Sequence, residues 1–209
     1  MKIVVFGASR GVGLDIVKQA LMAGHEVTAF VRSPLNFTVQ HANLTVSQGD
    51  ALDAAAVDKA IAGQGAVISA LGPTRPLVPH MMETCAKNIV AAMQKHSVRR
   101  IVSTTGAGVR QPEDQPQFID RFMSLLLNLL AKEVVLDSAA NVNVIQSSDL
   151  DWTIVRFPRL MDGEHTRKYR VEYLGKGSGT QISRADGADF VLKEVVEKKW
   201  LRKLPVVSY

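Results

Sequence analysis

Apolar positions along the chain switch repeatedly between a period of two and a period near 3.6, which predicts strands alternating with helices. Ile3-Val4-Val5-Phe6 is a β-branched apolar run that stops at Gly7. Residues 11–23 then carry apolar side chains at Val12, Leu14, Ile16, Val17, Ala20 and Leu21, the spacing of one helix face. Residues 26–31 and 43–47 read as the second and third strands, with Ser33-Pro34-Leu35-Asn36 marking a loop between them. A short helix follows over 53–62, a fourth strand over 65–70, a Gly72-Pro73 loop, a long helix over 80–95 and a fifth strand over 100–104. Residues 105–116 form a loop rich in glycine and proline, followed by a long helical region over 118–146 and a sixth strand over 152–156. The tail mixes short strands (169–174 and 204–207) with one helix over 184–198.

Strands separated by amphipathic helices imply right-handed crossovers, and hence a parallel sheet covered on both faces. The expected fold is α/β: a single doubly wound (Rossmann) sheet over residues 1–209, with a small C-terminal extension. Neither an internal repeat nor a long linker divides the chain, and one hydrophobic core serves up to roughly 250 residues. In such a sheet the ligand crevice lies beyond the carboxyl ends of the strands.

The segment Gly7-Ala8-Ser9-Arg10-Gly11-Val12-Gly13 falls between the first strand and the first helix, with glycines spaced G-x-x-x-G-x-G. Glycine removes the Cβ that would keep a pyrophosphate from the backbone, and the helix amino end offers unpaired N–H groups and a positive dipole. Glycine-rich turns are common by themselves; the position after an N-terminal strand and before an amphipathic helix makes this one a dinucleotide site. The end of the second strand selects the cofactor. An NAD site usually has an acidic residue there, but this chain has Val31-Arg32-Ser33 and no Asp or Glu from Val27 to Gly49. The Arg32 guanidinium suits a 2′-phosphate, Ser33 adds a hydroxyl and Arg10 a second charge, so NADP(H) is the expected cofactor.

Composition narrows the classes further. Apolar residues make up 46% and charged residues 22%, the balance of a globular protein. One cysteine, Cys85, allows neither an internal disulfide nor a thiolate zinc cage, and points to a reducing cytoplasmic setting. No apolar run reaches the ~18 residues of a membrane helix, and the four apolar residues after Lys2 are fewer than the ~7–15 of a signal peptide. The net charge of +5 invites a nucleic-acid reading, but the basic residues come as scattered pairs and only 6% of residues are aromatic. The expected partner is a small-molecule acceptor, with no nucleic acid and no membrane, on a monomer or small homo-oligomer.

Candidates for chemistry are fewer. A tyrosine followed four residues later by lysine is the usual acid of short-chain dehydrogenases. Here Tyr173 follows Tyr169, Gly177 follows Tyr173, and Tyr209 is the last residue, so the pair is missing. Hydride transfer needs no protein acid when a conjugated acceptor takes its proton from water. Thr105, in Ser103-Thr104-Thr105-Gly106-Ala107-Gly108 at the end of the fifth strand, is the candidate to orient a nicotinamide or donate to an acceptor. Satisfying a loop carbonyl is its other reading. The five histidines lack metal-ligand spacing; His25 and His96 fall at predicted helix ends, and His80 and His165 beside loops that border the crevice. Met81, Met82 and the cluster over 122–130 read as core or subunit contact.

These motifs resemble the atypical short-chain dehydrogenase group that contains the biliverdin-IXβ (flavin) reductases. The resemblance runs from the Gly7 turn through Val31-Arg32, Gly49-Asp50-Ala51-Leu52 and Ala66-Val67-Ile68-Ser69-Ala70-Leu71-Gly72 to Lys87-Asn88-Ile89-Val90-Ala91-Ala92-Met93. It resumes at Leu150-Asp151-Trp152-Thr153-Ile154-Val155-Arg156 and Ile182-Ser183-Arg184-Ala185-Asp186. It implies that Asp50 and Ala51 border the adenine and that Leu71 and Gly72 line the pyrophosphate and ribose. Thr104 and Thr105 would approach the nicotinamide, walled by Phe157 and Pro158. Where those reductases carry a serine and a histidine, this chain has Gly106 and Arg159; Arg159 becomes the candidate to attract an anionic substrate. The implied activity is NADPH-dependent hydride transfer to a flavin or quinone. The alternatives are a non-catalytic NADP(H)-sensing regulator and, more weakly, a sugar-nucleotide epimerase.

Overall fold

Ile3, Val4, Val5 and Phe6 lose all contact with solvent, as a strand at the centre of a two-faced sheet must. Their side chains alternate between the two layers: Val4 and Phe6 enter one core cluster, Ile3 and Val5 the other. The computed structural model describes residues 1–74, 76–115, 131–175 and 177–209. The first half of the chain runs β1 (Lys2–Phe6), α1 (Gly11–Met22), β2 (Glu26–Val31), β3 (Leu44–Gln48), α2 (Ala54–Ile61), β4 (Ala66–Ser69), α3 (Met81–Lys95) and β5 (Arg100–Gly106). The remainder comprises α4 (Lys132–Gln146), β6 (Asp151–Phe157), β7 (Arg159–Met161), β8 (Arg170–Glu172), β9 (Gln181–Ser183), α5 (Arg184–Glu197) and β10 (Val206–Ser208).

Strand order in the main sheet is β3-β2-β1-β4-β5-β6-β10-β8. Every neighbouring pair is parallel except β10 with β8. Helices α2, α3 and α4 cover one face through Val57, Ile61, Ile89, Met93, Val142 and Ile145. Helices α1 and α5 cover the other through Ile16, Val17, Ala20, Val191 and Val195. Each fully buried aliphatic side chain stabilises the layers by ~1.5–3 kcal/mol. From β1 the order runs to β2 and β3 on one side and to β4, β5 and β6 on the other, so the reversal falls between β1 and β4. This is the doubly wound architecture, and the crevice opens beyond Phe6 and Ser69.

Several boundaries differ from the sequence reading. β5 runs on to Gly106 because β6 pairs with it through Thr104↔Val155, Thr105↔Arg156 and Gly106↔Phe157, so Thr104 and Thr105 lie within the strand. β7 and β9 were not legible: each has three residues, too few for a periodicity, and they exist through pairing with each other. The strand expected over 169–174 contracts to β8, which ends where its three pairs with β10 end. α4 covers the last part of the helical region expected over 118–146. Residues 118–130, and the apolar cluster over 122–130, lie outside the described residues. Met81 and Met82 are buried in the core.

Two buried arginines tie the layers together. Arg100 on β5 reaches Glu194 on α5 at 3.1 Å, and Thr153 accepts from Arg100 at 3.0 Å while donating to Glu194 at 3.0 Å. Arg156 on β6 meets Asp114. Local caps finish the helices: the Asp53 carboxylate accepts from the N–H groups of Ala55 at 2.9 Å and Ala56 at 3.3 Å at the start of α2. Asp53→Ala is expected to lower stability by about 1 kcal/mol, read as a shifted urea midpoint at unchanged slope.

Candidate functional site

Beyond the ends of β1, β2 and β4 the structure holds a cleft of about 720 Å³. Its floor is the Gly7 turn. Gly7 adopts φ +79°, and a Cβ there would stand 2.4 Å from the Ala70 carbonyl oxygen. At Gly13 a Cβ would stand 2.1 Å from the carbonyl oxygen of Gly7. Only glycine at both places lets α1 start against the turn with its first N–H groups facing the cleft. Arg10, the residue before α1, supplies no side-chain cap, and the first turn carries no acidic residue. That leaves the amino end of α1 available to an anion. By contrast α3 is closed at its amino end by the Asp137 carboxylate, which accepts from Met82 N at 2.9 Å and Glu83 N at 3.1 Å.

The cleft is walled by Gly7, Ser9, Arg10, Gly11 and Val12 from the turn, Arg32 from the end of β2, Asp50 and Ala51 after β3, and Leu71 and Gly72 after β4. These residues come from four segments that the sequence reading had assigned to one ligand, and the fold brings them together. Gly13 lies beneath, packed on Gly7. Ser33 precedes the short 3₁₀ turn Pro34–Asn36, Thr104 and Thr105 lie within β5, and Phe157 ends β6 with Pro158 just after it; none of these is among the described residues that wall the cleft. Thr104 is buried and Thr105 half-buried. Phe157 is packed in the core, its ring 3.1 Å from where a Gly187 Cβ would be. Arg159 is exposed at the start of β7 and is not among the described residues that wall this cleft, and its N–H donates to Thr180 O at 3.1 Å.

Sequence reasoning missed several wall residues. Arg184, at the first position of α5, brings its Nε within 3.7 Å of where a Gly11 Cβ would be, so a third guanidinium faces the turn beside Arg10 and Arg32. It is paired with Asp162. Burial above all raises the nearby Asp15 carboxyl above its ordinary range, against the attraction of Lys18 and Arg184. Thr74, Met81 and Cys85 close the inner side. Burial, with Asp50 and Asp137 nearby, pushes the Cys85 thiol up to about 12, so it stays protonated and unreactive.

The five residues Gly7-Ala8-Ser9-Arg10-Gly11 also fit the G-x-S-x-G spacing of a hydrolase nucleophile, but no histidine is among the described residues that wall this cleft, so Ser9 lacks the usual triad base there. His80 borders a neighbouring cleft and sits 3.3 Å from Glu83. His165 faces Asp189 at 3.0 Å, and His96, at the end of α3, faces Asp58 at 3.0 Å. His25, just beyond α1, meets the terminal amino group at 3.3 Å. Among the described residues no group of three or more His, Cys, Asp and Glu could hold a metal ion, and no helix is long and apolar enough to cross a membrane.

A tyrosine and a lysine do meet in space. Lys193 Nζ stands 3.4 Å from the Tyr169 hydroxyl, but that hydroxyl donates to Asp189 at 2.6 Å, and Lys193 pairs with the same carboxylate. Burial first, then Asp189, drives the Tyr169 hydroxyl far above its ordinary range. Neither residue walls the cleft, so this pair is structural.

An uncharacterized protein of Bacillus subtilis, YwnB, is 26% identical over 202 residues, covering 91% of this chain and 86% of that protein. A short-chain dehydrogenase/reductase from Veillonella parvula, solved in complex with NADP, superposes with a TM-score of 0.84 at 18% identity, over 100% of this chain and 94% of its own. The anaerobillin reductase ChuY of Escherichia coli O157:H7 gives a TM-score of 0.82 at 22% identity, over 100% and 97%. These two likenesses establish the fold, a Rossmann-like sheet shared with short-chain-dehydrogenase-like oxidoreductases. Residues 7–198, from the first glycine of the turn to the residue after α5, match the family model described as NAD(P)H-binding, and the chain belongs to that family.

Proposed function

We propose that the protein is an NADPH-dependent reductase that passes hydride to a conjugated acceptor, a flavin or a quinone, in the cytoplasm. The observation that supports it most is the position of Arg32. It stands at the mouth of the cleft where β2 ends, with Arg10 on the neighbouring turn and no carboxylate on β2 beyond Glu26 to take a ribose 2′-hydroxyl. A 2′-phosphate gains charge-assisted bonds there, whereas a bare ribose gains none. The glycine cradle and the uncapped start of α1 fit a diphosphate. Asp50 and Ala51 border the adenine side, Leu71 and Gly72 the ribose side, and Thr104 and Thr105 on β5 support the nicotinamide end, with Phe157 and Pro158 behind. Bound there, the cofactor supplies hydride. With Tyr169 tied to Asp189, no tyrosine is among the described residues that wall the cleft, which suits acceptors protonated by water.

Arg32→Ala is expected to weaken NADPH binding by ~1.5–3 kcal/mol, roughly ten- to a hundredfold, the range for bonds to charged groups. NADH binding should hardly change. Calorimetric titration of both nucleotides checks this, and equal NADPH affinity in variant and parent would remove the assignment. Steady-state NADPH oxidation with FMN, riboflavin, quinones and biliverdin tests the catalytic half. Tight NADPH binding without turnover of any acceptor would make the protein a sensor of the cofactor.

A further inference from the structure

A second cleft, of about 350 Å³, lies against the first, between the segment leaving β4 and the opening turns of α3 and α4. Thr74 and Met81 wall both spaces. The Thr74 hydroxyl donates to Pro76 O at 3.0 Å and touches the Met81 sulfur at 3.6 Å, so these two side chains form the partition. The second cleft is lined mainly by Leu77, Val78, Pro79, Met82, Val134 and Leu136. Leu77, Val78 and Leu136 are 47%, 45% and 58% exposed, apolar surface that a monomer ordinarily hides unless something binds it.

Among the described residues, the fixed charges on its rim have one sign. Glu83, Glu133 and Asp137 border it, with His80, and no lysine or arginine is among the described residues that wall it. The amino end of α3, which would otherwise welcome an anion, is taken by the Asp137 carboxylate. Glu83 is partly balanced by Lys87 at 2.6 Å, which is not among the described residues that wall the cleft. A phosphate or carboxylate entering here meets carboxylates, whereas an uncharged ring system meets hydrocarbon. The volume is at the low end of the ~300–1,000 Å³ of small-molecule sites, which suits a compact fused-ring body.

We propose that this second cleft is the acceptor pocket and that it selects an uncharged planar quinone over anionic acceptors such as a flavin phosphate or a carboxylated tetrapyrrole. The proposal rests on the reductase reading above. A quinone held there becomes a hydroquinone by gaining a hydride, which NADPH supplies as it is oxidised to NADP⁺, and a proton from water. Leu136 supplies apolar contact, Glu133 and Asp137 repel anions, and Thr74 and Met81 set the passage between acceptor and cofactor.

Two probes with one ring system separate charge from shape: 2-(hydroxymethyl)anthraquinone and anthraquinone-2-sulfonate, in equilibrium dialysis against the full chain with NADP⁺ present. The neutral probe should bind at least about tenfold more tightly than the sulfonate, as like-charge opposition requires. Leu136→Asp, at an exposed helix position, should weaken the neutral probe about fivefold or more through lost apolar contact. Glu133→Lys should strengthen the sulfonate and close most of the gap. NADPH affinity should be unchanged in both variants, since neither residue walls the first cleft. Equal binding of the two probes, or a Leu136→Asp variant that holds the neutral probe as the parent does, overturns the pocket. Turnover of FMN that neither variant alters also overturns it and leaves the reductase reading standing. Charge-selective probe binding with no NADPH oxidation by any acceptor overturns the reductase reading and, with it, the acceptor role of the cleft.

Discussion

Gly13→Ala is expected to weaken NADPH binding by more than a hundredfold and to cost ~1–3 kcal/mol of stability, the usual range for overpacking. The added Cβ would lie 2.1 Å from the Gly7 carbonyl oxygen, 2.8 Å from the Gly7 carbonyl carbon and 3.3 Å from the Ala70 Cβ. Carbon atoms pack at ~3.5–4.0 Å, and the first two of these neighbours are backbone, so no rotamer relieves the overlap. Gly7 is itself pinned, at φ +79° with the α-hydrogen that a Cβ would replace facing the Ala70 carbonyl, so α1 must lift instead. Lifting α1 carries its first N–H groups away from a diphosphate. Two lost bonds to a charged phosphate at ~1.5–3 kcal/mol each come to more than a hundredfold in affinity. Gly106→Ala is the matched control for stability, because a Cβ there meets nothing within 4 Å. Calorimetry with NADPH and urea unfolding read the two effects. Parent-like affinity in Gly13→Ala would show that the turn is not the diphosphate cradle.

The turn could be read from the sequence because its evidence is local. An apolar run, three glycines and an amphipathic stretch follow one another within 22 residues, in the order a dinucleotide turn requires. Arg32 was legible for the same reason, as the residue just past a β-branched strand. Arg184 was not. It reaches the cleft because α5 packs on α1, and α5 is held in place by Arg100 and Glu194, which are 94 residues apart. No local pattern encodes that distance. Phe157 shows the converse case. An aromatic residue after a strand end resembles a pocket wall, but Gly187 on α5 leaves room for the ring to turn into the core. The second cleft went unread because its walls come from a loop and two helix starts with no shared periodicity. Tyr169 and Lys193 likewise escape a rule that looks for lysine four residues after tyrosine, since the fold brings them together across 24 residues and Asp189 binds both.

Removing one partner of the buried Arg156–Asp114 pair is expected to cost about 3–5 kcal/mol, the largest stability effect anticipated for a single substitution in this chain. Arg156 is fully buried and donates from two guanidinium nitrogens to the two Asp114 oxygens, each at 2.7 Å. It also donates to Val109 O at 3.0 Å and Leu204 O at 2.9 Å. Asp114→Ala leaves that guanidinium in a dry interior with half its partners gone, a penalty larger than the net worth of the pair. Replacing both residues, as Arg156→Met with Asp114→Leu, should therefore recover much of the loss. The pH dependence gives an independent check. Burial pushes the Asp114 carboxyl up, but the Arg156 guanidinium and the N–H groups of Gln111 and Leu174 outweigh it and hold the carboxyl below the ordinary carboxylate range. Its folded value is thus depressed below an unfolded value of ~3.9. The stabilisation is fully present above about pH 4 and is lost as the pH falls through the folded value. Asp114→Asn should accordingly be less stable than the parent at pH 7, with the gap closing in strong acid. The pair also fastens the segment after β5 over β6, where Thr105 is in register with Arg156. Hydrogen exchange in residues 107–115 should quicken in Asp114→Asn, and NADPH should lose affinity modestly as the nicotinamide end proposed at Thr105 loosens. Unchanged exchange there, together with a pH-independent stability gap, would show that the carboxylate and guanidinium act as ordinary packing and not as a fastening for the site.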